Sequence, residues 1–224
     1  LKPVPLVDGG EATDPATDKR WIFFGTGRFL TTGDLVDTTR QTWYGVIDDP
    51  AATASVTRAG MTARDIPYID ATTLDRAFEP PTALPANSKG WYIDLDLPSG
   101  VLEGERMVGN QRVIRNVLIA SSIIPDTSNP CQSGRGYINA LDAFTGTSLA
   151  TGFFGTFVDG AFVPTTVGPS GNSLGSDNTN AGLATDAALF GGQIGLQGNS
   201  GYYTGFYDPN LVGGRISWRE LIGR

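Results

Sequence analysis

The chain has 224 residues, 40% of them hydrophobic, with 16 Lys and Arg against 23 Asp and Glu, a formal net charge of −7 and no histidine. That much apolar material fills one sizeable core or part of a larger one, which excludes a disordered chain. The scattered cations exclude a nucleic-acid surface, which needs clustered Lys and Arg, and the missing histidine excludes Ser-His-Asp and Cys-His nucleophiles and the usual zinc sites.

Residues 1–5 lack the charged and apolar regions of an export signal, no run approaches the ~20 apolar residues of a membrane-spanning helix, and no Met begins the chain. It is expected to be a mature or excised part of a longer product and not membrane-spanning. Residues 8–19 are polar and expected to be mobile. Strands are predicted at 21–24, 42–47, 90–95, 112–121, 136–141, 156–158, 161–167, 193–196, 201–207 and 214–218, divided by Gly, Pro, Asn and Asp clusters. Residues 72–78 and 218–222 read as single helical turns. Two long insertions, 49–89 and 168–188, are expected to be variable surface loops, with the glycine-rich stretch 168–182 mobile.

Runs 22–24 and 113–119 carry bulky residues on both faces, the pattern of strands inside a packed stack. The most telling run is 136–149, GYINALDAFTGTSL. Tyr137, Asn139 and Leu141 face one way and Ile138, Ala140 and Asp142 the other. Thr145-Gly146 then supplies a residue tolerant of positive φ at the reversal, after which another strand is expected. This reads as the corner of a propeller blade, and at ~40 to 50 residues per blade the chain supplies roughly four or five blades, fewer with long loops. The expected fold class is all-β: a modified β-propeller, one domain over 1–224, with a partial set of blades completed by residues upstream.

Candidate sites are few. Calcium needs six to eight converging oxygens. Asp48-Asp49, Asp94 with Asp96, and Ser176-Asp-Asn-Thr-Asn180 are oxygen-rich, but none has enough spaced carboxylates, and all three read as turns or solvated loops. Gly25-Thr-Gly-Arg28 has the look of a phosphate loop, yet a turn-like run follows it, so its glycines read as the exit of a buried strand. Trp43, Tyr44, Trp91 and Tyr92 suggest an aromatic platform. Neighbours on a strand face opposite ways, so at most one of each pair lines a common surface, and packing between blades is the favoured reading. Tyr202, Tyr203, Phe206 and Tyr207 are better placed for an exposed contact surface, with core still favoured. Among Arg28, Arg40, Arg106, Arg112, Arg115 and Arg135, Arg115 interrupts an apolar strand and needs a carboxylate or carbonyl partner. Cys131 is the lone cysteine, open to a bridge outside these residues or to a buried thiol. No residue is assigned as catalytic, cofactor-binding or metal-binding.

In order, FFGTGRFLTTGDL at 23–35, TWYGVIDD at 42–49, GWYIDL at 90–95, GERMV at 104–108, NPC at 129–131 and GYINALDAFTG at 136–146 form a series that resembles the C-terminal propeller of the PilY family. These are tip-associated adhesins and biogenesis factors of bacterial type IV pili. The resemblance runs from about residue 21 to the SWREL run at 217–221. It implies a propeller at the end of a large exported protein, at the pilus tip or outer surface, that supports pilus assembly, attachment and twitching motility without enzymatic activity. The implied partners are minor pilins, the upstream part of the same protein, and host or abiotic surfaces. Family members carry a calcium loop of the Asp-x-Asp/Asn-x-Asp-Gly type. No such run occurs here, so no cofactor is expected within the chain, and a calcium site would lie before Leu1. The ALDAFTG turn by itself also fits a quinoprotein-type oxidoreductase fragment, and paired Asp and Glu a carbohydrate-processing propeller.

Overall fold

The computed structural model describes residues 7–8, 11–49, 55–126 and 134–212. Nearly all regular structure among them is strand, in three main sheets. The first runs, in spatial order, Glu11–Thr13, Arg20–Gly25, Thr42–Asp48, Gly90–Asp94 and Thr62–Arg64, antiparallel but for the last pair. The central sheet runs Val7–Asp8, Arg112–Ile114, Val117–Pro125, Gly134–Asp142, Ser176–Asn178, Arg76–Ala77 and Tyr68–Ile69. The third runs Ala161–Pro164, Phe154–Val158, Tyr202–Tyr207, Gln193–Gln197 and Ala188–Phe190, and a small hairpin joins Thr166–Val167 to Asn172–Ser173.

Two apolar layers hold the sheets face to face. Trp21, Phe23, Trp43, Trp91 and Ile93 of the first sheet meet Leu118, Ala120 and Leu141 of the central one. Val117, Ile119, Ile138 and Ala140, on the other face of the same central strands, meet Phe154, Ile194, Leu196 and Tyr207 of the third. Strict alternation along 117–120 thus feeds both layers in turn, as the two-faced apolar run predicts. The corner at 142–146 forms as expected. The Asp142 carboxylate accepts the backbone N–H groups of Phe144 and Thr145 at 3.0 and 3.1 Å. Gly146 has φ 70°, and a Cβ there would stand 2.5 Å from Trp91 Cδ2. Trp91 in turn donates its Nε1–H to Ala143 O at 2.8 Å, which ties the corner to the first sheet.

Several expectations need correction. The insertions 49–89 and 168–188 are not free loops. Thr62–Arg64 extends the first sheet, and Arg76 pairs with Ser176, so the two insertions meet each other and finish the central sheet. Residues 72–78 hold a strand in place of a helical turn. Residues 11–19 are tied down by pairing to Arg20–Gly25 and by a turn in which Asp14 N–H donates to Lys19 O at 2.9 Å. The predicted strand 112–121 is a hairpin, Arg112–Ile114 against Val117–Pro125, turning at Arg115 with φ 59°. The predicted strand 161–167 divides into Ala161–Pro164 and Thr166–Val167. After Gly146 there is only a single bridge, Asp142 to Thr147, and no strand until Phe154. Three main sheets and the small hairpin account for the strands of the described residues, fewer than four or five blades, as long insertions were expected to allow. The strand predicted at 214–218, the turn at 218–222 and Cys131 lie outside the described residues.

Candidate interaction surface

The polar side chains are mostly committed to the fold. Arg76 is fully buried and holds Glu105 in a two-pronged ion pair, Nη1 to Oε2 at 2.6 Å and Nη2 to Oε1 at 2.8 Å. Ser122 Oγ donates to the same carboxylate at 2.6 Å, Ser176 Oγ donates to Asn139 Oδ1 at 2.6 Å, and the guanidinium carbon sits 3.6 Å from the centre of the Tyr137 ring. Desolvation opposes the charge on Arg76, but the Glu105 carboxylate outweighs it and raises the pKa. Sequence reasoning missed this cluster, because its members come from both insertions, the 104–108 run and the central sheet.

The predicted residues are placed as follows. Arg28 pairs with buried Asp34 at 2.7 Å, and Asp34 also accepts the N–H groups of Leu30 and Thr31. The Leu30 bond first, then Arg28, and more weakly Thr31, hold its carboxyl well below the usual range. The supposed phosphate loop is therefore a braced strand exit, with a Cβ on Gly27 falling 2.4 Å from that of Arg106. Arg106 is buried and donates to the carbonyls of Gly104, Arg28, Asp34 and Asp37. Arg135 pairs with Glu103 and donates to Tyr137 Oη. Arg112 sits on its strand opposite Ile119. Arg115 is not in a buried strand: it is exposed at the hairpin turn and donates to Asn210 O at 2.8 Å, the carbonyl partner its charge was expected to need.

Asp48 pairs with Arg20 at 3.4 Å, and Asp94 is gripped by Arg58 at 2.8 and 3.0 Å and by the Thr42 hydroxyl at 2.7 Å. Asp96 pairs with Arg40 at 2.7 Å, while desolvation raises its pKa against that pull. Arg40, Asp94 and Asp96, with Arg64, Asp65, Glu79 and Tyr92, line an open groove of about 460 Å³. Its charges are largely neutralised within it, Arg64 by Glu79 at 3.2 Å. Among the described residues, no three His, Cys, Asp or Glu gather as a metal site would require.

The aromatic pairs divide by strand parity. Trp43 and Trp91 are fully buried. Tyr44 and Tyr92 point outward beside Phe24 in a cross-strand row with centroids 5.1 and 6.2 Å apart, so their faces are taken by one another and, at 4.0 Å from Tyr92, by Arg58. On the third sheet Tyr207 is core, and Tyr203 reaches inward to donate its hydroxyl to Asp177 of the central sheet. Desolvation first, and Asp75 besides, push the Asp177 carboxyl up to about 6 against the pull of that hydroxyl. Tyr202 and Phe206 face out, 78% and 41% exposed, so the core reading holds for only half of that group. With Phe157, Phe162 and Phe190 they form an exposed aromatic surface among the described residues.

No family model matches the chain. It is 32% identical over 221 residues to a Xylella fastidiosa (strain Temecula1 / ATCC 700964) protein named type IV pilus biogenesis factor PilY1 homolog. The chain belongs to the PilY family. That alignment covers 94% of the chain but 17% of the relative, so the chain spans a small part of the protein it matches. A second protein of the same name and organism is 28% identical over 145 residues, 63% of this chain and 10% of its own length. The crystal structure of the Pseudomonas aeruginosa PilY1 C-terminal domain superimposes with a TM-score of 0.68, covering 92% of this chain and 44% of that one. At 18% identity the likeness is one of fold: an all-β stack of the kind found in that family's C-terminal domain.

Proposed function

We propose that this segment is the C-terminal propeller portion of a type IV pilus biogenesis factor, acting as a rigid non-enzymatic scaffold. The parent would be exported and pilus-associated at the tip or outer surface, and would support pilus assembly, attachment and twitching motility with minor pilins as partners. Any calcium would be held by residues of the parent outside this segment. The colinear 32% identity to a protein named for that process carries the reading. The structure is in keeping with it, since the buried Arg76–Glu105 pair is bonded within the central sheet. The quinoprotein alternative rested on the turn at 140–146, and that turn is accounted for by Asp142 capping and by Gly146 against Trp91.

The test removes residues 1–224 from the parent in its native host and measures sheared surface pili, with immunoblotting to confirm that the truncated parent is still exported. Pili are expected to fall by at least about tenfold. Undiminished pili refute the assembly role, and undiminished attachment per pilus refutes the adhesive one.

A further inference from the structure

The central and third sheets meet through an apolar layer, Val117, Ile119, Ile138 and Ala140 against Phe154, Ile194, Leu196 and Tyr207, and one polar pair is set into that seam. Asp177 stands opposite Ile138 in register, so its side chain leaves on the face that Ile138 gives to this layer, and Tyr203 reaches across from the third sheet to donate its hydroxyl to it. Ser176 takes the other face by alternation, where it meets Asn139 and Arg76. Asp75 lies one step on from the Arg76–Ser176 pairing, and its Oδ1 accepts the Asn178 N–H at 3.0 Å, which sets a second carboxylate beside the first. Asp75 and Tyr203 are the titratable groups that act on Asp177, while the central strand beside it offers Ile138. Arg76, the cation next to Asp75 in sequence, is committed to Glu105. Two acids side by side in an apolar seam cannot both carry charge without cost. Arg115 to Asn210 O and Asn110 to Asp186, which also join segments flanking these sheets, lie at exposed positions where water screens them.

We infer that Asp177, beside Asp75 and bonded by Tyr203, is a proton-operated catch: while it holds a proton the third sheet lies closed on the central one, and when it gives that proton to solvent the third sheet loosens locally. Burial and the Asp75 charge favour the neutral acid and outweigh the Tyr203 hydroxyl, which favours the carboxylate. The neutral form therefore belongs to the closed state, and the charged form to one in which water reaches the carboxylate. With the folded group at about 6 against an ordinary 3.8, its contribution to closure is full below pH 3.8 and is lost as pH rises through 6. The strands released are Gln193–Gln197 and Tyr202–Tyr207, with the outward rings of Tyr202 and Phe206. The first sheet is held by a separate layer that includes Trp43, Trp91 and Leu118, so it stays closed.

The experiment is hydrogen exchange of the full parent protein, read by mass spectrometry at a series of pH values between 5 and 8 and corrected for the intrinsic exchange rate. The opening constant of peptides within 193–207 should rise about tenfold from pH 5 to pH 8, the ratio that values of 6 and 3.8 imply, while peptides within 42–48 and 90–94 keep theirs. Asp177→Asn should abolish the dependence. Asp75→Asn removes the neighbouring charge and should move the transition to lower pH, whereas Tyr203→Phe removes the hydroxyl and should move it to higher pH. A merely structural pair would move neither, and these two opposite shifts decide the matter even where Asp177→Asn does not fold. Opening that is independent of pH, that rises equally in all three sheets, that persists in Asp177→Asn, or that keeps its midpoint in Asp75→Asn and Tyr203→Phe would each overturn the catch. None of these readouts depends on piliation, so the catch and the pilus role can fail separately.

Discussion

Replacing Glu105 by Ala should be among the most damaging single changes in this fold. The substitution leaves the Arg76 guanidinium with 0% exposure and no carboxylate, and it strips Ser122 Oγ of its acceptor. No other carboxylate bonds Arg76 directly among the described residues: Glu103 acts on it only at longer range, and its remaining contacts are the neutral Asn139 and Ser176 at 3.3 and 3.4 Å and the Tyr137 ring. Arg76 Nε already lacks an acceptor among the described residues, so the group has no spare bond to fall back on. Orphaning one partner of a buried pair costs about 3–5 kcal/mol. At roughly 2–4 °C per kcal/mol for a chain of this size, the midpoint should fall by about 6–20 °C. Tryptophan fluorescence reads the transition directly, because Trp43 and Trp91 are fully buried between the same two sheets. The double variant Arg76→Met/Glu105→Leu removes both charges and fills the space, and it should recover most of the loss. A loss under about 1 kcal/mol for Glu105→Ala, or a double variant as damaged as the single one, refutes the account.

Asp177→Asn tests the link between the central and third sheets. The folded carboxyl sits at about 6 against an ordinary 3.8, so its contribution to stability is full below pH 3.8 and is lost as pH rises through 6. Urea midpoints of wild type and variant should diverge in the variant's favour between pH 4 and 7, by on the order of 2–3 kcal/mol, and parallel curves would refute it. Gly146→Ala combines a left-handed φ of 70° with a collision against Trp91 and should cost more than about 2 kcal/mol in urea unfolding. Gly160→Ala, at φ 80° with open space around it, should cost about half as much or less. Arg106→Lys keeps the charge but not the fork that reaches four carbonyls, so limited proteolysis should newly cut within 28–37 while the rest of the fold resists.

What could be read from the residues was what periodicity encodes locally. The run Val117-Leu-Ile-Ala120 is apolar at every position and does feed two layers, and Trp43-Tyr44 and Trp91-Tyr92 divide inside from outside by parity. Pairings between distant short segments were not legible. Ser176-Asp-Asn178 has the composition of a loop, and it is held as a strand by bonds from Ser176 to Asn139 and from Asn178 to Thr73 and Asp75. Thr179 adds a hydroxyl bond to Gly136 O at 3.0 Å. The hairpin at 114–117 escaped notice because its left-handed position is Arg115 and not glycine, which leaves Asn116 as the single turn-forming residue between two apolar runs. The exposed aromatic face was half visible, since alternation along 202–207 requires one set of rings to point outward, but which set faces solvent depends on where the neighbouring sheet lies.

The pairing of Arg76 with Ser176 means that the middle layer is laced by two segments a hundred residues apart. Its edge cannot close until residue 178 has been delivered, by which time the first sheet's strands have long been available. Such a molecule assembles late and all at once, and a tug on any single loop is shared across every layer that the lacing crosses.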